Sequence, residues 1–163
     1  MTNRSNPPSL PLAPFGRVAF VTSNAIGDTL VSMVIVRNLI DNGIDITVYG
    51  TPAHTLRHWF PGVTILALPQ DDLTTAFAQY DTVFQMQWNQ PLRDLVDVHP
   101  HVVTLHDVEF GDRPGCMAQR FADFCRDDLA LSAPVLDNGI TAPASLVHRR
   151  NAKRVMIHPE AST

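Results

Sequence analysis

Apolar positions along the chain follow two alternating periods. Short runs rich in β-branched residues fall at 17–22, 45–50, 63–68, 81–87 and 101–106, and each reads as a strand. Longer stretches of helical period lie between and after them, at 27–41, 52–60, 71–79, 91–97 and 115–130. Gly43, Pro61–Gly62 and Pro69 punctuate the boundaries. Strand–helix alternation of this kind predicts an α/β domain, a Rossmann-like parallel sheet with helices on both faces. Such a sheet takes its ligands at the carboxyl ends of its strands, near a switch in strand order. The turn after the first strand, residues 23–28, is therefore the first place to look for chemistry.

The pattern divides the chain further. Residues 1–16 are rich in proline and read as a flexible lead-in. Residues 17–130 form the α/β domain. From 131 to 153 proline, alanine and polar residues dominate, which predicts a linker. At 154–163 a new strand pattern opens, "RVMIHPEAST", and reads as the start of a further domain. No internal repeat is visible.

Composition narrows the partners. Hydrophobic residues make up 45% of the 163, which suits one packed core. The net charge of −4 argues against a nucleic-acid partner, because such proteins present a basic face. Apolar runs are short, Met33 to Val36 being typical, and none has the length of a bilayer span. Cys116 and Cys125, nine positions apart on one expected helix, cannot bridge and read as reduced thiols of a cytosolic protein, both as small core residues.

The turn "SNAIGD" holds one glycine, Gly27, followed by Asp28. A dinucleotide site needs several glycines so that backbone N–H groups can approach a pyrophosphate. Asp28 itself occupies the positive end of the helix dipole, where a phosphate would meet a like charge. A dinucleotide site in this turn is excluded. Two readings of Asp28 remain: a charge that stabilises the helix start, worth roughly 0.3–1 kcal/mol, or a general base at the mouth of the sheet. Ser23 and Asn24 are turn or capping residues, with a ligand-binding role as the alternative.

Other candidates are weaker. His54 and His58 have the spacing of a zinc pair, but no glutamate follows His54. His99, His101 and His106 cluster with Asp107 around the fifth strand and read as a solvated strand end. The stretch 106–115, with Asp107, Glu109 and Arg113, reads as a polar surface loop at the ligand-binding edge. Trp88 suits either a sugar stack or the core. The basic run 148–154 suits a solvated linker or an anionic surface.

Three segments carry a resemblance. "RVAFVTSNAIGDTLVSMVIVRNL", "YDTVFQMQWNQPLRDL" and "VMIHPEAS" occur in that order. They resemble the opening strand and helix, the "YDLVIDLQGN"-type segment and the "PGAS" strand of the family nine glycosyltransferases, the heptosyltransferases of lipopolysaccharide synthesis. The chain departs from the pattern at Thr22, where a basic residue is usual, and at Val34, Trp88 and Glu160. The resemblance implies the N-terminal half of a GT-B enzyme. That half binds a glycan or lipopolysaccharide-core acceptor, and a second domain binds a nucleotide sugar such as ADP-heptose. It makes Asp28 the acceptor base, with Ser23, Asn24, Gly27 and Gln87 shaping the acceptor site. It implies no metal and no cofactor beyond the nucleotide-sugar substrate. The expected location is the cytoplasm, with peripheral contact at the inner membrane. The competing expectation is a non-catalytic domain that binds a sugar or a partner protein; a flavodoxin-like regulator finds no positive feature in the sequence.

Overall fold

The computed structural model describes residues 15–70 and 72–146. Five strands, β1 (Arg17–Val21), β2 (Asp45–Tyr49), β3 (Thr64–Leu66), β4 (Thr82–Gln85) and β5 (Val102–Thr104), form one sheet. Every pairing is parallel, in the order β3-β2-β1-β4-β5. The expected Rossmann-like α/β architecture is present. The chain winds outward from β1 to β2 and β3, then returns to place β4 on the other side of β1. The switch in strand order therefore lies between β1 and β4.

The pleat of β1 sorts the core into two layers. Val18 and Phe20 face a cluster with Met33, Ile35, Val36 and Leu39 of helix α1 (Ile26–Asp41) and Phe121, Phe124 and Cys125 of helix α6 (Met117–Asp127). Ala19 and Val21 face the opposite cluster, with Phe77 of α3 (Leu73–Phe77) and Leu95 of α4 (Leu95–Val98). Each fully buried side chain of this size contributes roughly 1.5–3 kcal/mol of gross stabilisation. The second layer also buries a hydroxyl pair, Tyr49 and Tyr80, whose oxygens lie 2.8 Å apart.

Helix α1 is buried along most of its length, as its near-continuous apolar sequence requires. It ends where Gly43 turns left-handed at φ +76°, and the Ile44 N–H closes back on the Leu39 carbonyl at 3.1 Å. Short α2 (Thr51–Thr55) follows β2, and a 3-10 turn covers Arg57–Trp59. His54 and His58 therefore lie on separate elements, since α2 stops at Thr55. Gly50 lets the β2–α2 connection pass close to β1, because a Cβ there would fall on the Thr22 hydroxyl.

Three details differ from the sequence expectations. Residues His106–Phe110, expected as loop, form a short helix, α5. His99 is buried, 6% exposed, and its Nε2 lies 2.9 Å from the Tyr80 carbonyl, so it is a packing residue and not a solvated strand end. Cys125 is buried as expected, whereas Cys116 is exposed at the head of α6 and is no part of the core.

The described part of the expected linker, 131–146, carries no helix or strand, yet it is tied to α1. The Ser132 N–H donates to Asn42 Oδ1 at 2.8 Å and the Val135 N–H to Asn38 Oδ1 at 2.7 Å. Asn38 Nδ2 donates back to the Val135 carbonyl at 2.9 Å, and Asn138 Nδ2 donates to the Leu30 carbonyl at 2.9 Å. The segment thus runs antiparallel to α1 as a strap. The basic run 148–154, the strand pattern at 154–163 and residues 1–14 of the lead-in lie outside the described residues.

Among the described residues, no helix is long and apolar enough to cross a membrane.

Candidate functional site

The site grows from the turn between β1 and α1. Strand β1 ends at Val21, and the Thr22 N–H still bonds to the Tyr49 carbonyl of β2 at 2.9 Å. The chain then leaves the sheet through Ser23. The Ser23 hydroxyl accepts the Ala25 N–H at 3.1 Å, an ST turn that shapes the entry to α1. The same hydroxyl donates to Asp28 Oδ2 at 3.3 Å. The buried Thr29 hydroxyl donates to the Ser23 carbonyl at 2.9 Å and locks the turn from below. Ala25 caps the helix without a side-chain bond, so Ser23 and Asp28 do the organising here.

Asp28 is half-buried in the first turn of α1, the longest helix among the described residues. Asn24 and Gly27 are exposed beside it. A Cβ on Gly27 would meet nothing within 4 Å. The fold does not require a glycine at this position, and the backbone is open to a ligand. The exposed Ile26, 57% accessible, completes the open rim.

Gln87 lies two residues beyond β4, at the same edge of the sheet. It is half-buried and pairs through its backbone with Gln90. No hydrogen bond joins it to Ser23 or Asp28 among the described residues. The structure therefore brings Ser23 and Asp28 into contact, leaves Asn24 and Gly27 open next to them, and sets Gln87 on the neighbouring strand end.

Two residues beyond the expected set belong to this edge. Gln85 ends β4 fully buried; its Nε2 donates to the Trp88 carbonyl at 3.1 Å, while its Oε1 has no partner. Glu109, on α5, is only 4% exposed, and its Oε2 has no partner. These are the two buried side-chain atoms left unsatisfied among the described residues. One backbone run joins them: the Leu105 N–H donates to the Gln85 carbonyl and the Glu109 N–H to the Leu105 carbonyl, both at 2.9 Å. Burial, with a smaller push from the Asp28 carboxylate, raises the Glu109 carboxyl to about 7. Arg120 of α6 does not relieve this charge. Its guanidinium donates to the carbonyls of Glu109 and Gly111, at 2.9 and 3.3 Å. In the sequence Glu109 stands between Val108 and Phe110, and that apolar flank was the one hint of its burial.

An aromatic row borders the same edge. The Trp88 and His106 ring centroids are 6.2 Å apart, and those of His106 and Phe110 are 5.0 Å apart. Trp88 and Phe110 are 41% and 61% exposed. By contrast, a cavity of about 530 Å³ lined by His58, Pro61 and residues 141–145 opens before β3, at the amino side of that strand, and contains none of the expected site residues. Among the described residues, no three His, Cys, Asp or Glu side chains gather as a metal ion would need.

The arrangement presents a carboxylate fixed by a hydroxyl, a second carboxyl held near neutrality, an open glycine turn and exposed aromatic rings. It suits the binding of a polyhydroxylated ligand and proton removal from one of its hydroxyls. Compared with protein-family profiles, with curated proteins and with solved structures, the chain matches none.

Proposed function

We propose that this chain is the acceptor-binding half of a glycosyltransferase of GT-B type, and that Asp28 is its general base. The observation that carries the reading is the placement of Asp28. It stands at the switch between β1 and β4, held by the Ser23 hydroxyl at 3.3 Å, beside a turn open at Gly27. The resemblance of residues 17–39 and 80–95 to heptosyltransferases points the same way.

In this reading the acceptor hydroxyl lies against the free oxygen of Asp28. Asp28 takes the hydroxyl proton as the oxygen forms a bond to the anomeric carbon of the donor sugar. The bond from that carbon to the nucleoside diphosphate breaks, and the diphosphate leaves with the electron pair. The proton on Asp28 then passes to water. Ser23 keeps the carboxylate oriented during the transfer. Trp88 and Phe110 offer faces for the apolar side of a sugar ring. The donor, a nucleotide sugar such as ADP-heptose, is held by a second domain.

The test is transfer to a lipopolysaccharide-core acceptor from ADP-heptose and from other nucleotide sugars, using the longest natural form of the protein. Product that disappears in Asp28→Asn, with the fold intact, supports the reading. Absence of product from every donor, with acceptor binding retained, favours a non-catalytic sugar-binding domain.

A further inference from the structure

The exposed rings at the carboxyl edge are carried on fixed backbone. Trp88 lies in the turn 87–90, which the Gln87–Gln90 bridge closes. The fully buried Gln85 pins the same turn, its Nε2 donating to the Trp88 carbonyl at 3.1 Å. Beyond the turn, Leu92 and Leu95 are buried and anchor the chain again. The indole is held in place from below and is still 41% exposed. Helix α5 supplies two further rings. His106 and Phe110 are four positions apart and share one face of it. Val108 and Glu109 take the inward face and are buried, while His106 is half-buried and Phe110 is 61% exposed.

Large apolar rings left on a pinned surface mark an interaction site. The chemistry of the row says what fits it. Its steps are 6.2 Å from Trp88 to His106 and 5.0 Å from His106 to Phe110. They compare with the advance from one ring to the next along a glycosidic chain. The ring planes tilt by 54° and 46° at these steps, as neighbouring sugars also turn about their linkage. The row has no aliphatic member, and the exposed Asn89, Gln90 and Asp107 flank its rings in the chain. Aromatic faces match the C–H faces of pyranoses, and amide and carboxylate groups match their hydroxyls. A phosphodiester chain would instead meet Asp107 and a protein of net charge −4.

We infer that Trp88, His106 and Phe110 form one extended platform for at least two consecutive sugar rings, so that the acceptor is an oligosaccharide and not a single sugar. The inference rests on the reading of this edge as an acceptor site and adds to it the length of the ligand. Trp88 and Phe110 each take the apolar face of one ring. His106, between them, bonds hydroxyls near the linkage through its ring nitrogens. A single sugar covers one end of the row and leaves the other wet. An oligosaccharide makes both contacts for one loss of translational freedom, so affinity rises with its length.

The test uses the full chain without a donor. The ligands are a heptose-deficient lipopolysaccharide-core oligosaccharide and the single sugar from its non-reducing end, followed by indole N–H and backbone amide shifts. The oligosaccharide is expected to bind about tenfold more tightly than the single sugar. Trp88→Ala and Phe110→Ala are each expected to weaken the oligosaccharide about three- to tenfold, whereas only one of them weakens the single sugar. Both side chains are exposed, so both variants keep the fold, and urea denaturation checks this. Equal affinity for the two ligands, no binding of the oligosaccharide, or an affinity indifferent to either substitution overturns the platform. Transfer kinetics in the longest natural form separate this result from the enzyme reading. A raised KM for the acceptor in both variants upholds both. Transfer with a KM indifferent to both substitutions defeats the platform alone. Ring-dependent binding with no transfer from any nucleotide sugar upholds the platform and defeats the glycosyltransferase reading instead.

Discussion

The Ser23 hydroxyl sits between two groups of the first turn, accepting from the Ala25 N–H at 3.1 Å and donating to Asp28 Oδ2 at 3.3 Å. One side chain thus sets both the path into α1 and the orientation of its first carboxylate. Asp28→Asn keeps the size of the side chain and removes its capacity to take a proton. Transfer is expected to fall by roughly 10²-fold or more. Folding stability is expected to change by only about 0.3–1 kcal/mol, the worth of a charge at the helix N-terminus. Steady-state kinetics and urea denaturation on the same preparation check both halves. A stability loss as large as the activity loss would mean that the residue serves the fold.

Glu109 gives the protein a pH-dependent stability of defined sign. The folded protein holds the Glu109 proton more tightly than the unfolded chain does, because burial raises the carboxyl from 4.5 to about 7. Stability from this group is therefore fully present below about pH 4.5 and is lost as pH rises through about 7. The loss is on the order of 3 kcal/mol at most. Asp72, lowered by its bond from the Thr75 hydroxyl, and Asp127, lowered by Arg126, titrate below this window and do not mask it. Denaturant unfolding at pH 5, 6, 7 and 8 should show the decline in wild type. Glu109→Gln should flatten it and be the more stable protein at pH 8.

The strap along α1 depends on Asn38. Its Nδ2 serves the Val34 and Val135 carbonyls at 2.8 and 2.9 Å, and its Oδ1 receives the Val135 N–H at 2.7 Å. Asn38 is 1% exposed. Asn38→Ala leaves these partners without their bonds inside the protein and is expected to cost about 2–3 kcal/mol. Hydrogen exchange should rise at the Val135 and Ser132 amides before it rises in the sheet.

Gly27 separates structural from functional demands. With nothing near its Cβ direction, Gly27→Ala fits the helix and is expected to stabilise the protein by roughly 0.5–1 kcal/mol. If the acceptor approaches the turn here, the same methyl raises KM for the acceptor. Thermal unfolding and transfer kinetics on this variant should move in opposite directions.

The fold was legible because its signals are local. All five strands lie within the expected segments, and Gly43, Pro61–Gly62 and Pro69 fall between elements as expected. The turn carrying Ser23 and Asp28 was also legible, since a polar turn after a first parallel strand is fixed by topology. Glu109 was not. It lies on a five-residue helix, too short to display a period, in a stretch whose Gly, Asp and Pro residues read as loop. Its burial is produced by α6 packing over α5 and by Arg120 tying the carbonyls of Glu109 and Gly111, contacts that local pattern does not encode. His99 misled in the same way, because its partner is the Tyr80 carbonyl, nineteen residues away.

The most direct test of the central claim is to map where the acceptor binds on this chain. A heptose-deficient lipopolysaccharide-core oligosaccharide would be titrated into isotope-labelled protein while backbone amide shifts are followed. The predicted result is a set of shifts confined to the carboxyl edge of the sheet: Ser23 to Asp28, Gln87, Trp88 and the α5 residues around Glu109. Shifts centred instead on His58, Pro61 and residues 141–145, or no shifts at all, would contradict the assignment of this edge as an acceptor site.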